Sequence, residues 1–590
     1  MMLKRMIWLA SVSALTTALL VGPQAIAKRA PESVNIGSFT GAYLAARVAE
    51  VDNDMDSAIA YYRRALDFDP NNQQLQQSLM LVLISSGRFD DALPLAEKLK
   101  TVPEVERFSR VALAVDAIRK NQYREAGDWL KLTVESDLDR LITGLMTAWT
   151  QVGRNDGADA LAGLESLQGP EWFELFVALH RGLVAEMAGM PEEADAAYQA
   201  AMDNVAAGGA APETWLRAAE AYAGFLVRRG DKQGALDVLS RADEFSSGRL
   251  PLQALRKKIE AGEKVDPVIA TVSDGASEVL LDLGAALNRG GGEPFVKMYL
   301  QLALALRPDS DAVLLQLASL AEQQNNSEEA IAYYEKIPAA SPIRRAAELQ
   351  LGLNLADLKR HDEAIMHLKI LLDAEPDDMR AYLALGGVYA SKEDYKSAAE
   401  VYDRAVERLK EPTASNWNIF YQRGIAYERL KQWAKAEPNF KKALQLFPNQ
   451  PQVMNYLGYS WVDMNLNLEE ALDLIRRAVD LRPGDGYIVD SLGWAYYRLN
   501  RFEEAVVELE RAVSLKPDDP VLNDHLGDAY WRAGRKLEAT FQWRHARDLK
   551  PEPDVLLSVQ KKLAEGLPPI EGKTALDSAK PQPKAAEPKG

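Results

Sequence analysis

The sequence predicts an all-α protein, a right-handed superhelical solenoid of about 14 helix-turn-helix units. Three observations carry that fold class. Small, apolar and proline positions recur every 34 residues toward the C-terminal end. The composition favours good helix formers such as Ala, Leu, Glu, Arg and Lys. Period-two runs of Val, Ile and Thr are nearly absent. Apolar residues make up 47% of the 590, enough to bury a core and too many for a disordered chain.

The repeat is clearest in the unit from Pro520 to Pro551, with Leu526-Gly527, Tyr530, Ala539, Trp543 and Ala546. The unit starting at Gly486 repeats it with Leu492-Gly493, Tyr496, Ala505, Leu509, Ala512 and Pro517. Gly and Ala let two antiparallel helices approach, the larger residues fill the gaps between them, and proline ends the second helix. One such hairpin cannot bury its apolar face alone, so units must stack. Earlier units start at Trp417 and at Pro451, the latter with one extra residue around Asn465-Leu466-Asn467. Units from Ser277, Asp311, Arg345 and Met379 complete this array, the last with a longer loop containing Pro412. Toward the N-terminus, Phe39 to Pro70 fits well, and fainter units follow near Gln73, Arg107, Leu141, Gly182 and Ala223.

The expected organisation follows from these units. Residues 1–27 read as a signal peptide: Lys4 and Arg5, an uncharged stretch to Val21, then Ala25-Ile26-Ala27 as a cleavage site. The predicted destination is a bacterial periplasm, with no transmembrane span after cleavage. Residues 28–247 form a degenerate array, 248–276 a linker with a short helix, 277–553 the regular array, 554–565 a capping helix and 566–590 a disordered tail.

Charge and composition exclude several kinds of chemistry. The net charge of −17 argues against nucleic acid, whose phosphates need a basic stripe. There is no cysteine, hence no disulfide, thiolate or lipidated cysteine. The five histidines lack the spacing of a metal pair on one helix face. Gly290-Gly291-Gly292 lacks the Lys-Ser or Lys-Thr of a phosphate loop and reads as a turn. No enzyme signature, metal site or cofactor is predicted.

Recognition remains. The non-core positions of the first helices in the last four units include Tyr421, Asn455, Tyr459, Tyr487, Asp490, Trp494, Tyr497, Asp524, Asp528 and Trp531, with Glu428 beside them. Rings interspersed with carboxylates suit an extended peptide bearing apolar and basic side chains; rings also stack on sugars. The competing reading is that Trp494 and Trp531 pack against the next unit. Poorly capped solenoid ends also make a homo-oligomer a predicted outcome.

The 34-residue spacing resembles the tetratricopeptide repeat, which implies a concave groove lined by first helices. Tyr421 and Ile425 stand where the carboxylate clamp of chaperone-binding repeats needs Lys and Asn. The runs Asn455-Tyr456-Leu457-Gly458-Tyr459-Ser460, Tyr487 to Tyr497 and His525-Leu526-Gly527-Asp528 resemble exported bacterial adaptors. That resemblance implies binding of a periplasmic carboxy-terminal-processing protease and delivery of cell-wall hydrolases to it. Those adaptors carry a lipidated cysteine, which this chain lacks. The alternative is a structural part of an envelope machine that exports polysaccharide or assembles outer-membrane proteins.

Overall fold

The computed structural model describes residues 36–131, 136–288 and 295–569. They form 31 α-helices and one short 3-10 turn, and the described residues contain no strand. The predicted leader, the Gly290-Gly291-Gly292 turn and residues 570–590 of the predicted tail lie outside the described residues. By contacts the chain divides into two compact units, one ending at Ala374 and the other beginning at Glu375.

The unit beginning at Glu375 is a stack of helix hairpins. Met379–Ser391 pairs with Tyr395–Arg408, and Trp417–Arg429 with Trp433–Leu446. Pro451–Asp463 then pairs with Leu468–Leu481, Gly486–Arg498 with Phe502–Leu515, and Pro520–Arg532 with Lys536–Asp548. Local chemistry sets each boundary. Asp485 caps one first helix through Tyr487 N–H and Ile488 N–H, and Asp519 caps the next in the same way. Pro483 and Pro517 follow the second helices by two residues, where a helix cannot continue. The turn inside each hairpin needs a left-handed residue, supplied by Asn500 at φ 57° and Asn465 at φ 56°. Asn467, also left-handed at φ 43°, absorbs the extra residue of that unit.

Close helix approach explains the recurring glycine. A Cβ on Gly493 would lie 2.5 Å from Leu509 Cγ, and one on Gly527 would lie 2.4 Å from Trp543 Cδ1. Gly387, by contrast, has nothing within 4 Å of such a Cβ. Gly493→Ala is therefore expected to destabilise this unit by about 1–3 kcal/mol through overpacking. Gly387→Ala should stabilise it by up to about 1 kcal/mol through helix propensity. Urea unfolding of both variants measures the contrast, and equal effects would sink the packing account.

The unit ending at Ala374 is built differently. Its hairpin of Val272–Leu287 and Val296–Leu306 packs against helices Gln73–Ser85, Glu106–Arg119, Asp137–Gly153, Phe173–Met187 and Pro212–Arg228. Both helices of that hairpin are apolar on nearly every side, the pattern of a helix enclosed by others. Gly275 sits against the Trp149 indole, where a Cβ would be 2.4 Å from the ring. Three polar side chains of the hairpin are paired inside. Arg217 grips Glu278 with two bonds of 2.6 and 2.8 Å. Lys297 bonds Glu329 at 2.8 Å, and Gln301 donates to the Tyr333 hydroxyl at 2.6 Å. Burial pushes Glu278 up, but Arg217 outweighs it and holds the carboxylate below its usual range. Trp149 Nε1 donates to His180 Nδ1 at 3.2 Å, leaving Nε2 facing Asp282 Oδ2 at 3.4 Å. At the other side of this unit Asn53 donates to Gln324 across 271 residues of sequence, at 3.1 Å.

Candidate functional site

The ten predicted groove residues come together on the first helices of the last four hairpins, but most of them face inward. Tyr421, Asn455, Tyr459, Asp490, Trp494, Asp524 and Asp528 are buried. Tyr487, Tyr497 and Trp531 are half-buried. The expectation of an open aromatic–carboxylate lining is corrected accordingly. These rings and carboxylates fill the seams between consecutive hairpins, because a 13-residue first helix is packed on one side by its own partner helix and on the other by the next unit.

The seam chemistry is specific. Trp494 stacks on His525 with ring centroids 4.1 Å apart, and on Tyr497 at 4.6 Å. His525 Nδ1 pairs with the Asp490 carboxylate at 2.9 and 3.0 Å. Tyr421 lies between Trp417, Phe440 and Tyr456 with centroids about 6 Å away. At the end of the stack, the helix Pro553–Glu565 contributes Lys562. Its Nζ reaches Asp524 at 2.8 Å and Asp528 at 2.8 Å, while Trp543 Nε1 donates to Asp528 at 2.9 Å. The half-buried rings are also engaged: Lys536 lies 5.1 Å over Trp531, and Lys516 lies 5.8 Å over Tyr487.

Electrostatics at this end have a clear pH sign. Burial pushes Asp490 up and Asp528 up to about 6. Burial pulls His525 down, but Asp490 outweighs it and the net shift is upward. A raised histidine stabilises fully below its unfolded value and loses that contribution as pH rises through the folded one. A raised carboxyl acts in the same direction, because the folded state holds its proton more tightly. The last two hairpins should therefore lose stability as pH rises from about 4 to about 6 and on through the titration of His525. Hydrogen exchange in Pro520–Arg532, corrected for intrinsic rates, should show more protection at the acid end of that range. A flat or opposite profile would contradict the assignment.

Sequence reasoning passed over an exposed feature of the same unit. Val507 and Phe541 occupy one repeat position on successive outer helices and are 63% and 60% exposed; Leu537, one turn before Phe541, is 69% exposed. Large apolar side chains displayed in repeat register mark an interaction surface more readily than scattered ones do. The signal was available, since that position is apolar in two consecutive units and yet belongs to no core pattern. Among the described residues no three His, Asp or Glu side chains converge as a metal site, and no helix is long and apolar enough to cross a membrane.

Comparison with known proteins agrees with the repeat. Tetratricopeptide repeat family models match residues 37–73, 298–342 and 349–411, and a second such model matches 417–450. A further TPR repeat model matches 493–534. A TPR repeat-containing protein of Pseudomonas aeruginosa is 27% identical over 189 residues, 32% of this chain and 31% of that protein. The cellulose synthase operon protein C of Xanthomonas axonopodis pv. citri is 24% identical over 375 residues, 60% of this chain and 23% of that protein. The chain spans less than a third of the length of the curated relatives it matches. Among solved structures, the Cut9–Hcn1 hetero-tetramer of the APC/C aligns over 90% of this chain and 97% of that one, at 16% identity and a TM-score of 0.36. Yeast Tom70 aligns over 90% and 95%, at 14% identity and a TM-score of 0.30.

Proposed function

Because this chain is a protein of tetratricopeptide repeats, we propose that it works as a non-catalytic periplasmic scaffold that brings client proteins, cell-wall hydrolases among them, to a processing protease. The observation that carries the scaffold reading is the display of Val507, Leu537 and Phe541 on the outer helices of a stacked array. Successive hairpins offer separate surfaces, so one protein can hold two partners and raise their effective concentration for each other. The protease and its clients come from the sequence runs around Tyr459, Trp494 and Asp528, and the periplasm from the leader pattern.

A second reading is a component of a polysaccharide-export machine. It is favoured by the likeness to a cellulose synthase operon protein, which extends over 60% of this chain. Affinity capture of the tagged full chain from cell-envelope extract separates the two. A protease or cell-wall hydrolase among the captured proteins supports the adaptor. Synthase or export subunits support the second reading, and recovery of neither class rejects both.

A further inference from the structure

The first described helix of the unit that ends at Ala374, Phe39–Val51, is apolar on two opposite sides. One side, Ala42, Ala46 and Ala49, is buried in the hairpin made with Met55–Phe68. The other carries Leu44, Val48 and Val51 at i, i+4 and i+7, and these are 56%, 60% and 79% exposed. A surface helix ordinarily sets polar residues opposite its buried face.

The 34-residue period shows what this second side is suited to meet. One, three and four repeats after Val48 stand Val82, Thr150 and Val184; two, three and four repeats after Leu44 stand Ala112, Met146 and His180. All six are buried. Ser78 and Asp116, at the remaining steps, are half-buried. In those units the preceding hairpin helps to cover the position: His180, for instance, accepts a hydrogen bond from Trp149 of the hairpin before it. Among the described residues no hairpin precedes Phe39–Val51, so its equivalent face stands open and still carries large apolar side chains.

Two features favour a second copy of this chain as what covers it. Helices joined by short turns run antiparallel to their neighbours, and a two-fold axis across the stripe sets an identical helix antiparallel on this one. Leu44 then meets Val51 of the second copy, and the two Val48 side chains meet at the axis. The edge of the stripe is self-complementary as well. Arg47 and Glu50, ion-paired at 2.8 Å, meet the same pair in reverse order, so each guanidinium faces a carboxylate of the other chain.

We propose that this chain forms a two-fold dimer through the Leu44, Val48 and Val51 face of helix Phe39–Val51. The proposal goes beyond the scaffold reading and does not depend on it. A helix of 13 residues offers less area than a standard interface, so dissociation in the micromolar range is expected. Sedimentation equilibrium of the full chain across that range should show monomer and dimer. Val48→Glu should weaken the dimer about tenfold or more at an unchanged melting temperature, because it buries an unpaired charge only in the interface. The chain has no cysteine, so Val48→Cys gives a second readout that does not rest on the Glu variant. Oxidation should link two copies across the axis, whereas Leu557→Cys, 70% exposed in the other unit, should stay unlinked. A monomer at every concentration would leave the face to residues 1–35 or to a different protein and overturn the dimer. A dimer untouched by Val48→Glu, or equal linking of the two cysteine variants, overturns it too. Client capture is read on the outer helices of the other unit, so each of these results leaves the scaffold reading to its own test.

Discussion

Arg217→Ala should destabilise the unit ending at Ala374 by about 3–5 kcal/mol. Glu278 is only 4% exposed, and the two bonds from Arg217 are what keep it charged there. Removing the guanidinium strands that carboxylate among apolar helices, one helical turn from Asp282. Hydrogen exchange in Val272–Leu287 reads the effect where it arises, since this helix should become the least protected part of its unit. The double variant Arg217→Met with Glu278→Leu removes both charges and should recover most of the loss. If Arg217→Ala alone leaves exchange unchanged, the enclosed hairpin is not held by this pair.

The second large effect belongs to the other unit. Lys562→Ala should cost about 3–5 kcal/mol locally, because Asp524 and Asp528 are 1% and 5% exposed and share that one ammonium. Burial pulls Lys562 down, but Asp528 and Asp524 outweigh it and the net shift is upward, so the ammonium stays charged across the physiological range. Loss of the lysine should release Pro553–Glu565, whose apolar anchors in the stack are Val555 and Val559. Limited proteolysis in this last helix, with the rest of the unit resistant, is the expected result. A variant as resistant as wild type would show that Val555 and Val559 suffice.

Much of the fold was legible because its rules are local. Gly493, Gly527, Ala505 and Ala539 sit where close helix contact demands them, and Asn500 and Asn465 sit where a left-handed turn does. The period reports hairpins but not which hairpins enclose which others. The sequence from Ser277 onward reads as one more unit of a regular array, yet Val272–Leu287 packs against Asp137–Gly153, Phe173–Met187 and Pro212–Arg228, which come well before it in the chain. Glu278 and Asp282, four apart and both buried in a helix rich in Val, Leu and Ala, were the available sign that a charged partner had to come from elsewhere.

The groove failed for a related reason. Position in the repeat tells which side chains leave the hairpin, not whether the next hairpin already covers them. His525 stands about one helical turn before the repeat position of Trp494 on the next first helix, and their stacking uses the surface that a ligand was expected to use. Lys562 could not be foreseen from spacing, because the helix Pro553–Glu565 lies outside the repeat pattern.

The most direct test of the scaffold account is affinity capture from envelope extract with wild type and with Val507→Ser, Leu537→Ser and Phe541→Ser combined. These side chains are exposed, so the melting temperature should not fall. The account predicts that at least one protein captured by wild type is lost from the variant. An identical set of captured proteins would contradict it and show that the outer helices are not where partners bind.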